Sequence, residues 1–184
     1  MGAGGVRLSS TAITDCLTPA RDIALTYVAP GCAVLLTEFL TPDRVIVPLA
    51  ARDKAGIIAE LTHHLVEHSG GTFNEVLGAV EEREAVLSTG IGFGVAIPHA
   101  RSSAIRELSV VGGVSPVPVP YDSIDGEPVR LFFLIVAPEA SAGQHVKVLS
   151  RIARLVRRDT LRQQLCQSGS AAEFYASLVE AERP

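Results

Sequence analysis

This chain of 184 residues is short of several things, and each shortage removes a class of protein. It has no excess of basic residues: 16 Lys and Arg stand against 20 Asp and Glu, a formal net charge of −4. A nucleic-acid binder needs a basic face, so that class is set aside. No apolar run approaches the roughly 18 residues of a membrane-spanning helix. Arg7, Asp15, Pro19, Arg21 and Asp22 break up the apolar stretch that a secretory signal would need. Cysteine is sparse as well. Cys16, Cys32 and Cys166 are odd in number and form no C-x-x-C pair, which favours free thiols in a reducing compartment over a disulfide framework. Together these absences predict a cytoplasmic protein.

What is present suits one globular domain. Hydrophobic residues make up 47% and charged residues 20%, enough apolar material at this length for a single core. Residues 1–33 are rich in Gly, Ser, Thr and Ala and read as a poorly ordered N-terminal extension, or as the product of a misassigned translation start. Regular patterning begins afterwards. Ala33–Leu40 predicts a short helix, and Arg44–Leu49 a strand whose end, or edge position, Pro48 marks. Asp53 is an N-cap for a helix carrying Ile57, Ile58, Leu61 and Leu65 and stopping at Gly70-Gly71. Thr72-x-x-Glu75 reads as a capping box, with Phe73, Val76, Leu77 and Val80 on one side of the next helix. Val95–Ile97 and Leu108–Val114 read as strands, and Asp125-Gly126 as a turn. Val129–Ala137 (V-R-L-F-F-L-I-V-A) reads as a strand buried on both faces. Ser141 predicts a helix to about Arg158, then come Thr160–Gln167 and a helix capped by Ser170. The expected fold over 34–184 is one α/β domain with a mixed central β-sheet flanked by helices.

The richest segment is Ser88–Arg101, S-T-G-I-G-F-G-V-A-I-P-H-A-R. Glycine loops let a guest approach the backbone, and phosphate is the commonest guest. The order helix, loop, strand excludes a dinucleotide fingerprint, and no G-K-[ST] follows to make a P-loop. An isolated phosphoryl group remains, received by His99. A neutral imidazole is a nucleophile near neutral pH without a helper base. Pro98 keeps Ile97 extended and should end the strand there; the alternative is a structural histidine at a strand end. Two further residues suit a phosphoryl site. Arg83 closes the preceding helix and carries a guanidinium fork; the bland alternative is a solvated arginine. His145 shares a helical stripe with Leu149, Ile152 and Val156, so it points inward, either to the site or into the core. On the helix after Asp53, His64 and His68 at i, i+4, with Glu60 and Glu67 nearby, have a zinc-like spacing. They fall on the helix flank, where a solvated face is the simpler reading. Lys147, Arg151, Arg154 and Arg158 form a basic stripe that reads as solvated too, the alternative being contact with an acidic partner.

These residues resemble the fructose/mannitol-type enzyme IIA domains of the bacterial phosphoenolpyruvate-dependent sugar phosphotransferase system, a group that includes nitrogen-regulatory IIA proteins. The likeness runs from about Leu36 to Leu178. It takes in Glu82-Arg83-Glu84, the I-P-H segment, Asp125-Gly126, Leu131–Pro138 and His145–Ala153. The chain departs from the pattern at Leu87, where glycine is usual, and at Phe93, where asparagine is common. The resemblance implies that His99 is phosphorylated, through Nε2, by the phosphocarrier HPr and passes the group to a cysteine of an enzyme IIB. It implies that His145 is the second active-site histidine and Arg83 the phosphoryl-stabilising arginine, with no metal or other cofactor. Ser88, Thr89, Gly90, Gly92 and Gly94 are expected to supply phosphoryl-binding donors. A purely regulatory phosphoprotein shares all these residues. A hydrolase using His99 with a His64/His68 metal is the rival reading from another class.

Overall fold

Val129–Ala137 is the strand around which the rest assembles. In the computed structural model, which describes Met1 and residues 34–183, it is β6 of a six-stranded sheet. The other strands are β1 (Val45–Ile46), β2 (Gly90–Gly92), β3 (Val95–Ala96), β4 (His99–Arg101) and β5 (Ser109–Val119). On one edge of β6 lies β5, antiparallel, with β1 parallel beyond it. On the other edge β3 and then β4 run parallel to β6, and β2 folds back antiparallel on β3. The sheet is therefore mixed, as the sequence predicts.

Side chains of a strand alternate between faces, and β6 buries both sets. Leu131, Phe133, Ile135 and Ala137 face a core built with α3 (Ala142–Leu155), α4 (Asp159–Gln167) and α5 (Ala171–Glu182). Phe132, Leu134 and Val136 face a second core with α1 (Lys54–Ser69) and α2 (Phe73–Val86). This double burial is why the strand reads as a nearly unbroken apolar run.

Several local expectations need correction. Where a helix was expected over Ala33–Leu40, the described residues 34–40 hold only a 3₁₀ turn, Leu36–Glu38; Pro42 opens the next turn and disfavours helix at Thr41. The strand expected to reach Leu49 is only Val45–Ile46, cut short ahead of Pro48, which has no N–H to give a ladder. Asp53 and Ser170 do cap, taking the amides of Gly56 and Glu173. Thr72 and Ser141 make no side-chain cap. The Thr72 backbone carbonyl instead accepts from Glu75 and Val76, and Ser141 closes a 3₁₀ turn, Glu139–Ser141. The expectation for residues 1–33 falls outside the described residues, Met1 apart.

The basic stripe on α3 is not wholly solvated. Arg151 Nε lies 2.7 Å from Oε1 of the buried Glu182. The same carboxylate accepts the amides of Leu36 and Thr37, at 2.9 and 3.0 Å, and the Thr37 hydroxyl. Burial alone would raise the pKa of Glu182, but these donors outweigh it and hold the value below the ordinary one. The stability this confers is present above the unfolded-state value, near pH 4.3, and is lost as pH falls through the folded value. Glu182→Ala should cost about 3 kcal/mol in urea unfolding at neutral pH. The deficit should shrink as both proteins are taken below about pH 4; a constant deficit would assign the loss to packing.

Candidate functional site

β3 and β4 keep one register against β6: Val95 pairs with Leu131, and His99 with Ile135. Pro98 therefore interrupts the strand without ending it as expected, since its carbonyl still accepts the Ile135 amide. Alternation along this path puts Val95, Ile97, His99 and Arg101 on the face that α3 covers, and Ala96 and Ala100 on the face of α1 and α2. His145 lies in the first turn of α3 and is buried with Val148, Ile152 and Leu155, a stripe rotated slightly from the expected one. The two imidazoles meet edge to face, with ring centroids 5.5 Å apart.

His99 Nδ1 lies 2.7 Å from the Ile97 carbonyl oxygen. A carbonyl only accepts, so Nδ1 carries the proton and the free lone pair is on Nε2. Burial of this half-buried ring lowers its pKa, and the Arg83 charge adds to that, against the Ile97 hydrogen bond and Glu84. The ring is thus neutral at neutral pH. His145 is pushed further, down to about 4, by burial first and then by His99, Arg101 and Arg83. Its Nδ1 is buried with no hydrogen-bond partner among the described residues, which costs about 1–3 kcal/mol for such a group.

Arg83 sits in the last turn of α2 and donates from Nη1 to the Leu87 carbonyl at 2.9 Å. It is half-buried, and its charge is felt by both histidines. Arg101 also belongs to the site, though no reading of the sequence singled it out. It follows His99 by two positions on the same face and makes an exposed ion pair with Glu139 at 3.4 Å. Period-two spacing was the signal that could have found it.

The glycine segment has a different role from the one expected. Gly92-Phe93-Gly94-Val95 is a hairpin turn, with positive φ at Phe93 (58°) and Gly94 (71°), as in the type I′ turns that suit twisted strands. Asparagine tolerates that conformation better than phenylalanine. The tip is five extended residues from His99, about 16 Å along the strand, and a Cβ at Gly92 would meet the Asp125 carboxylate at 2.8 Å. A Cβ at Gly90 would meet Ser123. These glycines admit the 121–126 segment and turn the hairpin; Gly92 and Gly94 do not cradle a group on His99. Ser88 and Thr89 lie closer, alongside Ile97, but their hydroxyls are already given. Ser88 donates to the Tyr121 carbonyl and Thr89 to the Glu84 carboxylate.

His64, Glu67 and His68 do gather, with potential ligand atoms within 4.8 Å of one another. His64 Nε2 already faces the Asp43 carbonyl, and His68 Nδ1 the His64 carbonyl. They ride on α1, which packs on the face of the sheet away from the His99 ring. A metal there could not activate water for His99. Among the described residues, no helix is long and apolar enough to cross a membrane.

Two neutral imidazoles, one with its lone pair presented, and flanking guanidinium charge suit the reversible holding of an anionic electrophile. Residues 38–181 match the family described as "Phosphoenolpyruvate-dependent sugar phosphotransferase system, EIIA 2", and the chain belongs to it. A nitrogen regulatory protein of Bradyrhizobium diazoefficiens is 32% identical over 144 residues, 78% of this chain and 94% of the relative. The fructose-specific EIIABC component of Bacillus subtilis is 34% identical over 138 residues, 73% of this chain but only 21% of that larger protein. The crystal structure of nitrogen regulatory protein IIA-Ntr from Neisseria meningitidis superposes with a TM-score of 0.72 at 31% identity, covering 77% of this chain and 97% of the other.

Proposed function

We propose that the protein is a phosphohistidine carrier: His99 Nε2 accepts a phosphoryl group from HPr and passes it to the cysteine of an enzyme IIB. The observation that carries this reading is the Nδ1 hydrogen bond of His99 to Ile97, which leaves Nε2 as the nucleophile beside His145. In the first step the P–N bond of the donor's phosphohistidine breaks as the P–Nε2 bond forms on His99. Both ring nitrogens of His99 are then substituted, so the ring becomes cationic, and the Ile97 carbonyl facing Nδ1–H stabilises it. In the second step the thiolate takes the phosphorus and the ring returns to its neutral form. Such transfer asks for in-line positioning and charge stabilisation more than for covalent assistance. Arg83 and His145 are the groups we assign to the phosphoryl oxygens, with Ser88, whose hydroxyl would have to turn from Tyr121, beside them. Exposed apolar side chains lie next to these residues in the chain, Val86 (81% exposed) and Leu87 (70%) after Arg83 and Val146 (59%) after His145. That rim suits a protein as donor and acceptor better than a small sugar.

The relative matched over 94% of its length is a nitrogen regulatory protein, which supports a second reading: the phosphorylation state of His99 is itself the signal, and no sugar is its destination. One experiment separates the two. The protein is labelled from phosphoenolpyruvate through enzyme I and HPr, then offered a panel of enzyme IIB domains. Label that drains to a IIB supports transport, retained label supports regulation, and no label sinks both.

A further inference from the structure

The one carboxylate on the buried stripe of α2 is Glu84, which follows Val76 and Val80 at helical spacing and is 8% exposed. It lies well inside, and its hydrogen bonds to Thr89 lead toward His99. Its oxygens accept the Thr89 amide at 3.1 Å and the Thr89 hydroxyl. The Thr89 carbonyl accepts the Ile97 amide at 3.0 Å. The Ile97 carbonyl accepts His99 Nδ1–H at 2.7 Å. From the other side Lys54 Nζ approaches Glu84 Oε1 at 2.9 Å and lies over the Tyr121 ring, whose hydroxyl is 3.4 Å from the Thr89 hydroxyl.

We propose that Glu84 is the positioning residue of the His99 site: through Thr89 and Ile97 it fixes the carbonyl that selects the Nδ1–H tautomer, and its charge favours the cationic ring of phosphorylated His99. The proposal rests on His99 being the phosphoryl acceptor, but its first half concerns the unphosphorylated ring and is tested without any transfer. A carboxylate on an apolar helical stripe costs desolvation, and a purely structural tie between α2 and β2 needs no charge there. Placed here it is held by Lys54 and does one thing a neutral residue cannot: it sets a negative charge where ring cationisation must be supported. The Glu84 charge also acts to raise the His99 pKa, as the smallest influence after burial, the Ile97 hydrogen bond and Arg83. Its carboxylate and the guanidinium of Arg83, on one helix, therefore act on the ring in opposite senses.

The test uses the full chain with 15N-labelled histidine. In Glu84→Gln, the imidazole nitrogen shifts of unphosphorylated His99 should move toward a mixture of tautomers and its titration should fall to lower pH, while the backbone amide spectrum stays native. Phosphoryl uptake from HPr should slow by roughly tenfold or more, the effect of about 1.4 kcal/mol on the barrier, and phosphorylated His99 should hydrolyse faster. Thr89→Val removes one link and keeps the charge, so it should shift the tautomer with little change in titration. It also decides the matter if Glu84→Gln does not fold. Wild-type tautomer, titration and uptake in either folded variant overturn the proposal. A wild-type protein that takes no label overturns the carrier reading instead, and leaves the nitrogen shifts to judge Glu84 alone.

Discussion

His99→Ala is expected to give a folded protein that takes up no phosphoryl group from phosphoenolpyruvate, enzyme I and HPr. The effect should be complete, because the other imidazole at the site, His145, lies buried in the first turn of α3 and cannot take the place of the His99 ring. Wild-type label should be lost in acid and stable in base, as a phosphoramidate requires. Uptake should also depend on pH in one direction. The nucleophile is the neutral ring, and burial with Arg83 holds the His99 pKa below its ordinary value of 6.5. The rate should therefore be flat above that value and fall as pH drops through the lowered one. Label on His99→Ala, measured in the same assay with circular dichroism to confirm the fold, would place the acceptor elsewhere.

Loss of His145 or of Arg83 should slow transfer without abolishing it. Neither supplies the bond that forms. On the proposed reading both meet the charge that develops on the phosphoryl oxygens, and removing one such donor typically costs about 2.7–4 kcal/mol, or roughly a hundred- to a thousandfold. His145→Ala should still label, slowly, and hand the group on poorly. Arg83→Lys should recover only part of the Arg83→Ala loss, because an ammonium cannot reproduce the planar fork. It should also loosen the chain leaving α2, since the Nη1 bond to the Leu87 carbonyl goes with the guanidinium. Quench-flow measurement of transfer from phosphorylated HPr, then to an acceptor, reads both steps. Wild-type rates in folded variants would leave His145 a core histidine and Arg83 a helix arginine.

How far the sequence spoke for itself depends on the length scale of each interaction. The sheet and its helices were legible because period-two and helical stripes report burial directly: β6 and α1 stand nearly where their apolar residues put them. The pairing of His99 with His145 was legible through the family resemblance and not through periodicity, since it depends on which edge of β6 each strand joins. The glycines misled for a physical reason. Positive φ and lack of a side chain serve a close phosphate and a close neighbouring chain equally well, and only the fold brought Ser123, Ile124 and Asp125 against these glycines. Arg151 looked solvated because its partner, Glu182, lies 31 positions away. Glu84 drew no attention of its own because its partners, Thr89 and Lys54, come from separate segments.

The Glu182 carboxylate, which ties the Leu36 turn to the final helix, has a consequence for the architecture of longer proteins. The first and last elements of the described fold touch, so the domain enters and leaves at one place on its surface. A module with adjoining ends can be spliced into a host chain, or rejoined and reopened at a distant loop, without separating β4 from α3. The phosphoryl chemistry would travel with the module, and partner choice would be left to whatever the host attaches at that single seam.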